Sequence, residues 1–147
     1  MGETHVTKGA CHCGAVQFEG QGPIMGVDAC HCVTCRQLNG GPYMGVRFHD
    51  GIALIQSDAL KWYDSSEWAR RGFCSQCGSS LLYNLKGTEF YAVSSGCIDM
   101  PANMTISQEG FIDEKPDFYN LAGEHPRLTG AEAIARFQDN NEQRDNT

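Results

Sequence analysis

The chain has 147 residues, a net charge of -7 at pH 7 and eight cysteines. This is the length of one ordinary domain, long enough to bury an apolar core without disulfides. The acidic balance disfavours a nucleic-acid binder, because modules of that class display a basic face. The N-terminus is polar and no apolar stretch approaches the length of a membrane span. We therefore expect a cytoplasmic protein with neither nucleic acid nor membrane as a partner.

Short apolar runs separated by glycines predict a mainly β protein. The clearest run is 43–48 (YMGVRF), where side chains alternate as on a strand with one buried face. The full set of expected strands is 15–19, 43–48, 52–56, 80–85, 89–93 and 105–107.

The C-terminal region is the one part of the sequence that predicts a helix. Thr129 and Glu132 have the spacing of a capping box, and Ile134 and Phe137 follow on one helical face until Gln138. Beyond it, residues 139–147 are entirely polar and are expected to be disordered. We expect a single domain over residues 1–138, with 139–147 as a tail.

Seven of the eight cysteines fall into three short motifs. In a reducing cytosol, such clusters bind metals more often than they form disulfides. A C-x-x-C turn can place two sulfurs on one ion, and Gly78 allows the backbone to fold around it. The motifs are C-x-C at Cys11 and Cys13, C-x-C-x-x-C at Cys30, Cys32 and Cys35, and C-x-x-C at Cys74 and Cys77.

Counting ligands divides these cysteines into two zinc sites. A structural zinc needs four ligands, whereas a catalytic zinc usually has three protein ligands and an open fourth position. Two zinc ions per chain are therefore expected, one structural and one catalytic. The structural ligands would be Cys11, Cys13, Cys74 and Cys77, and the catalytic ligands Cys30, Cys32 and Cys35.

An alternative assignment remains open because of the eighth cysteine. Cys97 could supply a fourth thiolate to the second cluster and leave two closed sites without chemistry. Four-thiolate sites also bind iron, so zinc is the expected metal rather than the sole candidate. The rings of His12 and His31 should point away from the metals, either into solvent or towards residues that contact the metal ligands. Arg36 either hydrogen-bonds thiolate sulfurs or a carboxylate at the open site, or is a solvated charge on the surface.

Four motifs in order resemble the glutathione-dependent formaldehyde-activating enzyme family, whose domain is shared with centromere protein V. They are 9–16 (GACHCGAV), 30–36 (CHCVTCR), 72–79 (GFCSQCGS) and 96–101 (GCIDMP). The resemblance implies a β-tent type fold of small antiparallel sheets clamped by zinc. It also implies the division into structural and catalytic zinc ligands given above.

The expected function is that of a zinc-dependent carbon-sulfur lyase. It would join or split a thiol, glutathione by resemblance, and a small aldehyde such as formaldehyde. The candidate catalytic residues are Cys30, Cys32, Cys35 and Arg36. The alternative is a non-catalytic binding module stabilised by two closed zinc sites. The oligomeric state is left open, a homodimer included.

Overall fold

The structure is a computed structural model that describes the backbone of residues 5–145 and the side chains of residues 5–139. Its contacts divide the chain into two compact units. The first comprises Met1–Val27 and Met44–Met104, and the second comprises Asp28–Tyr43 and Thr105–Thr147. The single domain expected over residues 1–138 stays a prediction.

Over residues 5–145 the chain forms ten strands and two α-helices. No helix in this range has the length and apolarity needed to cross a membrane. The strands are β1 (Val6–Ala10), β2 (Gln17–Gln21), β3 (Ile24–Cys30), β4 (Tyr43–Phe48), β5 (Ile52–Gln56), β6 (Leu60–Asp64), β7 (Ala69–Cys74), β8 (Ser80–Leu85), β9 (Tyr91–Ser94) and β10 (Gln108–Gly110). The helices are α1 (Val33–Asn39) and α2 (Gly130–Asp145).

The first unit is built from antiparallel sheets around an apolar core. One sheet has the order β1-β2-β5, and in the other β3, β4, β9, β8, β7 and β6 lie side by side in that order. Phe18, Val46 and Leu81 are almost completely buried between them. Burying a side chain of this size stabilises the fold by about 1.5–3 kcal/mol. Packing is tight, since a Cβ added at Gly20 would lie 2.3 Å from the ring of Phe48.

The second unit begins with the last three residues of β3, Asp28–Cys30. Strand β10 pairs in parallel with the last residues of β3, placing Gly110 opposite Cys30. Helix α1 starts three residues later, with Cys32 as its N-cap. The capping box of α2 is formed as predicted: the Thr129 amide donates to Oε1 of Glu132 at 2.9 Å, and the Glu132 amide donates to Oγ1 of Thr129 at 3.2 Å.

The mainly β fold of small antiparallel sheets with a short C-terminal helix is confirmed. Strands β4, β5 and β8 have the predicted bounds, while those expected at 15–19, 89–93 and 105–107 lie one to three residues further along. Strands β1, β3, β6 and β7 and helix α1 were not predicted. Strands β3 and β7 lack a regular alternation of buried residues, and α1 is too short for a helical period.

The predicted end of the C-terminal helix is wrong. Its backbone remains helical beyond Gln138, up to Asp145. Polar residues can extend a helix whose start is fixed by a cap, and apolar periodicity does not reveal where such an extension ends. The last two residues of the expected tail, 146–147, lie outside the described residues.

Candidate metal centres

Four cysteines of the first unit bring their sulfur atoms together. The Sγ atoms of Cys11, Cys13, Cys74 and Cys77 all lie within 4.8 Å of one another. Cys11 and Cys13 are separated by 3.6 Å between sulfurs, and Cys13 and Cys74 by 3.8 Å. A tetrahedral zinc with bonds of about 2.3 Å holds its sulfur ligands about 3.8 Å apart. The group therefore fits a closed four-thiolate site.

Two similar turns present these sulfurs. In each turn a glycine with positive φ follows the second cysteine, Gly14 at 82° and Gly78 at 79°. These conformations favour glycine because it lacks a Cβ. Backbone amides also point at the sulfurs: Val16 N donates to Cys11 Sγ at 3.3 Å, and Gln76 N donates to Cys74 Sγ at 3.4 Å. Such donors stabilise thiolates, the form in which cysteine binds a metal.

Three cysteines of the second unit form the other group. The sulfurs of Cys30, Cys32 and Cys35 lie within 4.8 Å of one another. Cys30 ends β3, and the sulfur of Cys32 accepts a hydrogen bond from the Cys35 amide at 3.3 Å. Hydrogen bonds with the Cys32 and Cys35 thiols, followed by burial, raise the pKa of Cys30 above its usual range. Three thiolates this close repel one another, and a bound cation would stabilise them. The group could therefore hold a metal ion.

Cys97 is a member of neither group over the described residues. It belongs to the first unit, is half-buried, and donates a weak hydrogen bond to the Ser80 carbonyl at 4.0 Å. Burial raises the pKa of its thiol, with a further contribution from nearby Cys11 and Cys77. It also borders a groove of about 930 Å³ together with Lys8 and Asp99.

Polar side chains form a network around His31, which lies between two of the three clustered cysteines. The ring has no exposed surface, so of the two orientations expected from the sequence, the one into solvent is wrong. Its Nε2 lies 2.7 Å from Oε1 of Glu109, and its Nδ1 lies 2.9 Å from the Tyr119 hydroxyl. The ring of Tyr119 is also 5.5 Å from that of His31.

The other oxygen of the Glu109 carboxylate has two further donors. Oε2 lies 2.6 Å from Nε2 of His125 and 2.9 Å from Nε of Arg127. Burial raises the pKa of Glu109, but hydrogen bonds with His125 and His31 and the charge of Arg127 outweigh it and hold the pKa below its usual value. Glu109 is therefore ionised at neutral pH and acts only as an acceptor.

Arg36 lies beside the three-cysteine group, half-buried on α1. Its Nε donates to the carbonyl of His31 at 3.0 Å, which fixes its guanidinium on the backbone between Cys30 and Cys32. Burial raises the pKa of Tyr119, while the charge of Arg36 opposes this rise and the charges of Glu109 and Cys30 add to it. Tyr119 therefore lies within electrostatic reach of both Arg36 and Cys30. A role for Arg36 at the site stays a prediction.

The sequence profile of one family matches most of the chain. The profile of the glutathione-dependent formaldehyde-activating enzyme covers residues 6–114, which include all seven clustered cysteines. The chain belongs to this family. The expected resemblance is thereby confirmed.

Two relatives extend the comparison. An uncharacterized lyase of Schizosaccharomyces pombe is 32% identical over 73 residues, which are 49% of this chain and 53% of that protein. The chain thus spans about half the length of the curated relative it matches. The crystal structure of a Rhodobacter sphaeroides protein is 22% identical, with a TM-score of 0.51, and the match covers 82% of this chain and 98% of the other. This second likeness concerns the fold alone.

Sequence reasoning found both cysteine groups but missed the network behind the second. His125 belongs to no motif, Glu109 is a single polar residue on the three-residue strand β10, and Tyr119 and Arg127 are single polar residues outside the strands and helices. None of them has a spacing that indicates a site. His12 is exposed, as expected, and belongs to neither group over the described residues.

Proposed function

We propose that the protein is a zinc-dependent carbon-sulfur lyase of the glutathione-dependent formaldehyde-activating type. It would join or split a thiol, glutathione, and a small aldehyde at the three-cysteine group in the cytoplasm. The observation that carries this proposal is the difference between the groups: one offers four sulfur ligands and the other three, over the described residues. Three protein ligands leave a coordination position for a substrate.

Zinc held by Cys30, Cys32 and Cys35 would supply a position at which a thiol loses its proton near neutral pH. Zinc held by the other four cysteines would be structural. The sulfur spacing of that group and the amides directed at its sulfurs support this role.

The reaction needs a nucleophilic sulfur and a proton for oxygen. The substrate thiol gives up its proton, its sulfur bonds to the carbonyl carbon, and the carbonyl π pair moves onto oxygen, which then takes up a proton. No oxidant or reductant takes part, and splitting reverses each movement.

The chain's contribution is electrostatic. Three thiolates and one divalent cation carry a net negative charge, which disfavours an anionic fourth ligand. The guanidinium of Arg36, held on the His31 carbonyl, offsets that charge and can stabilise developing charge on the aldehyde oxygen.

The proposal is tested by NMR exchange spectroscopy of glutathione and formaldehyde with and without the protein. The full chain should accelerate formation and splitting of the adduct, and Cys32→Ala should abolish the acceleration. Cys97→Ala is the matched control, because it removes a half-buried thiol that belongs to neither group. Equal exchange rates with and without protein would rule out the reaction.

Cobalt substitution tests for the open position independently of the reaction. A tetrahedral cobalt-thiolate site should change its visible spectrum when an added thiol enters its fourth position. Two closed sites would leave the spectrum unchanged, which is the outcome expected for a non-catalytic binding module.

A further inference from the structure

The carboxylate of Glu109 is fully buried in the second unit, where a charge is costly unless it is well paired. It has three partners from two segments: His31 from one, and His125 and Arg127 from the other. Apolar residues of similar volume often replace a buried ion pair without loss of stability. Fold stability alone therefore gives little reason for this arrangement.

His31 connects the carboxylate to the three-cysteine group. Its amide donates to the Gly110 carbonyl at 3.1 Å, and its own carbonyl accepts from Arg36 at 3.0 Å. Both ring nitrogens also have partners, Glu109 and Tyr119. Cys30 and Cys32 flank His31 in the chain. A change in the backbone torsion angles of His31 would therefore displace the two sulfurs.

Glu109 also determines which nitrogen of His31 carries the hydrogen. An ionised carboxylate only accepts, so Nε2 of His31 must donate to it. In the neutral imidazole, Nδ1 then accepts from the Tyr119 hydroxyl. The ring is thus fixed in one tautomer and one orientation by partners on both sides.

We propose that Glu109 is a positioning residue for the three-cysteine site, acting through His31 to set the metal affinity of that site and not of the four-cysteine site. This rests on the metal-binding part of the proposed function. The imidazole itself binds no metal: it braces the turn from which two of the three sulfurs project.

Glu109→Gln tests the proposal with little change in volume. A glutamine offers one acceptor oxygen to the three donors His31, His125 and Arg127. Its amide hydrogens would face those donors that the oxygen does not reach. In the full chain loaded with two cobalt ions, chelator competition should show one site weakened roughly 10- to 100-fold, the range typical of lost partners behind metal ligands. The four-cysteine site should keep its affinity and is the internal control.

Glu132→Gln is the matched control variant. It makes the same change on an exposed carboxylate of the same unit, in the α2 capping box. Both cobalt affinities should equal those of the wild-type protein.

A double-mutant cycle separates positioning from general support of the fold. If Glu109 acts through His31, then Glu109→Gln should have no further effect on metal affinity once His31 is replaced by Gln. If Glu109 had a purely structural role, Glu109→Gln would weaken metal binding further even in the His31→Gln variant. Tyr119→Phe serves if Glu109→Gln does not fold, since it removes only the hydroxyl and should weaken the same site roughly 2- to 12-fold.

Each result decides a separate point. A wild-type chain that binds one metal ion overturns the proposed function and this inference together. If the wild-type chain binds two ions but Glu109→Gln and Tyr119→Phe leave the affinity of the three-cysteine site unchanged, the inference alone is overturned. Equal weakening of both sites by Glu109→Gln also overturns it.

Discussion

Nε2 of His31 lies 2.7 Å from Oε1 of Glu109, and neither side chain is exposed to solvent. The two residues are 78 positions apart in the chain. One lies between two candidate metal ligands, and the other lies on a three-residue strand paired with the strand that leads to them. The contact gives the three-cysteine group a buried support that its own motif does not contain.

The two cysteine groups should differ in their contribution to folding. Cys11→Ala and Cys35→Ala are matched variants, because the residues are 5% and 3% exposed. The four-cysteine group joins segments 61 residues apart, and structural zinc contributes about 10 kcal/mol or more to folding. Cys11→Ala should therefore unfold the first unit, whereas Cys35→Ala should leave a folded protein with one metal ion. Circular dichroism and elemental analysis check this, and equal unfolding of both variants would contradict it.

Replacing Arg36 should slow the proposed reaction. Arg36→Gln removes the positive charge that follows Cys35 in the chain and the hydrogen bond to the His31 carbonyl. Losing a charged hydrogen bond of about 1.5–3 kcal/mol corresponds to a rate decrease of roughly 10- to 100-fold. Arg36→Lys keeps the charge without the guanidinium, and its rate should lie between those of the wild-type protein and Arg36→Gln. The measurement is the glutathione–formaldehyde exchange rate, and a wild-type rate in Arg36→Gln would show that the charge has no role.

The stability of the protein should depend on the ionisation of Glu109. Burial opposes its charge, but donors from His125 and His31 and the charge of Arg127 hold its pKa below the usual value, while Tyr119 faces the far side of His31. The resulting stabilisation is complete above the ordinary glutamate pKa of about 4.3 and is lost as the pH falls through the lower folded value. Carboxyl-carbon NMR should place the Glu109 midpoint below about 4.3. A midpoint above this value would contradict the ion pairing.

The core of the first unit should not tolerate a side chain at Gly20. An added Cβ would meet three atoms of the Phe48 ring at 2.3–2.4 Å, and Phe48 is itself buried. Gly20→Ala should lower the free energy of unfolding by about 1–3 kcal/mol through overpacking. Gly96→Ala is the control, because a Cβ added there would have no neighbour within 4 Å and the φ of Gly96 is not positive. Urea unfolding of both variants measures the difference, and equal midpoints would contradict the expected clash.

Much of the fold was predictable where the signal is local. Strand β4 alternates in the sequence and has the predicted bounds, and the α2 capping box needs only residues three apart. Strand β7 (ARRGFC) carries two arginines and a glycine, so it becomes a strand by pairing with β6 and β8 rather than by its own pattern. Its arginines lie over the rings of Trp62 and Tyr83, contacts that a single-strand pattern does not reveal.

The two groups of metal-ligating cysteines and the family could both be predicted from the order of residues along the chain. Short spacings such as Cys30, Cys32 and Cys35 limit how far apart the sulfurs can lie, whatever the rest of the chain does. The residues behind these sulfurs depend instead on how distant segments pack. Glu109 and Tyr119 meet His31, and His125 meets Glu109, because β10 pairs with β3 and the following segments fold back. No local rule of spacing relates His31 to residues 78 and 88 positions away.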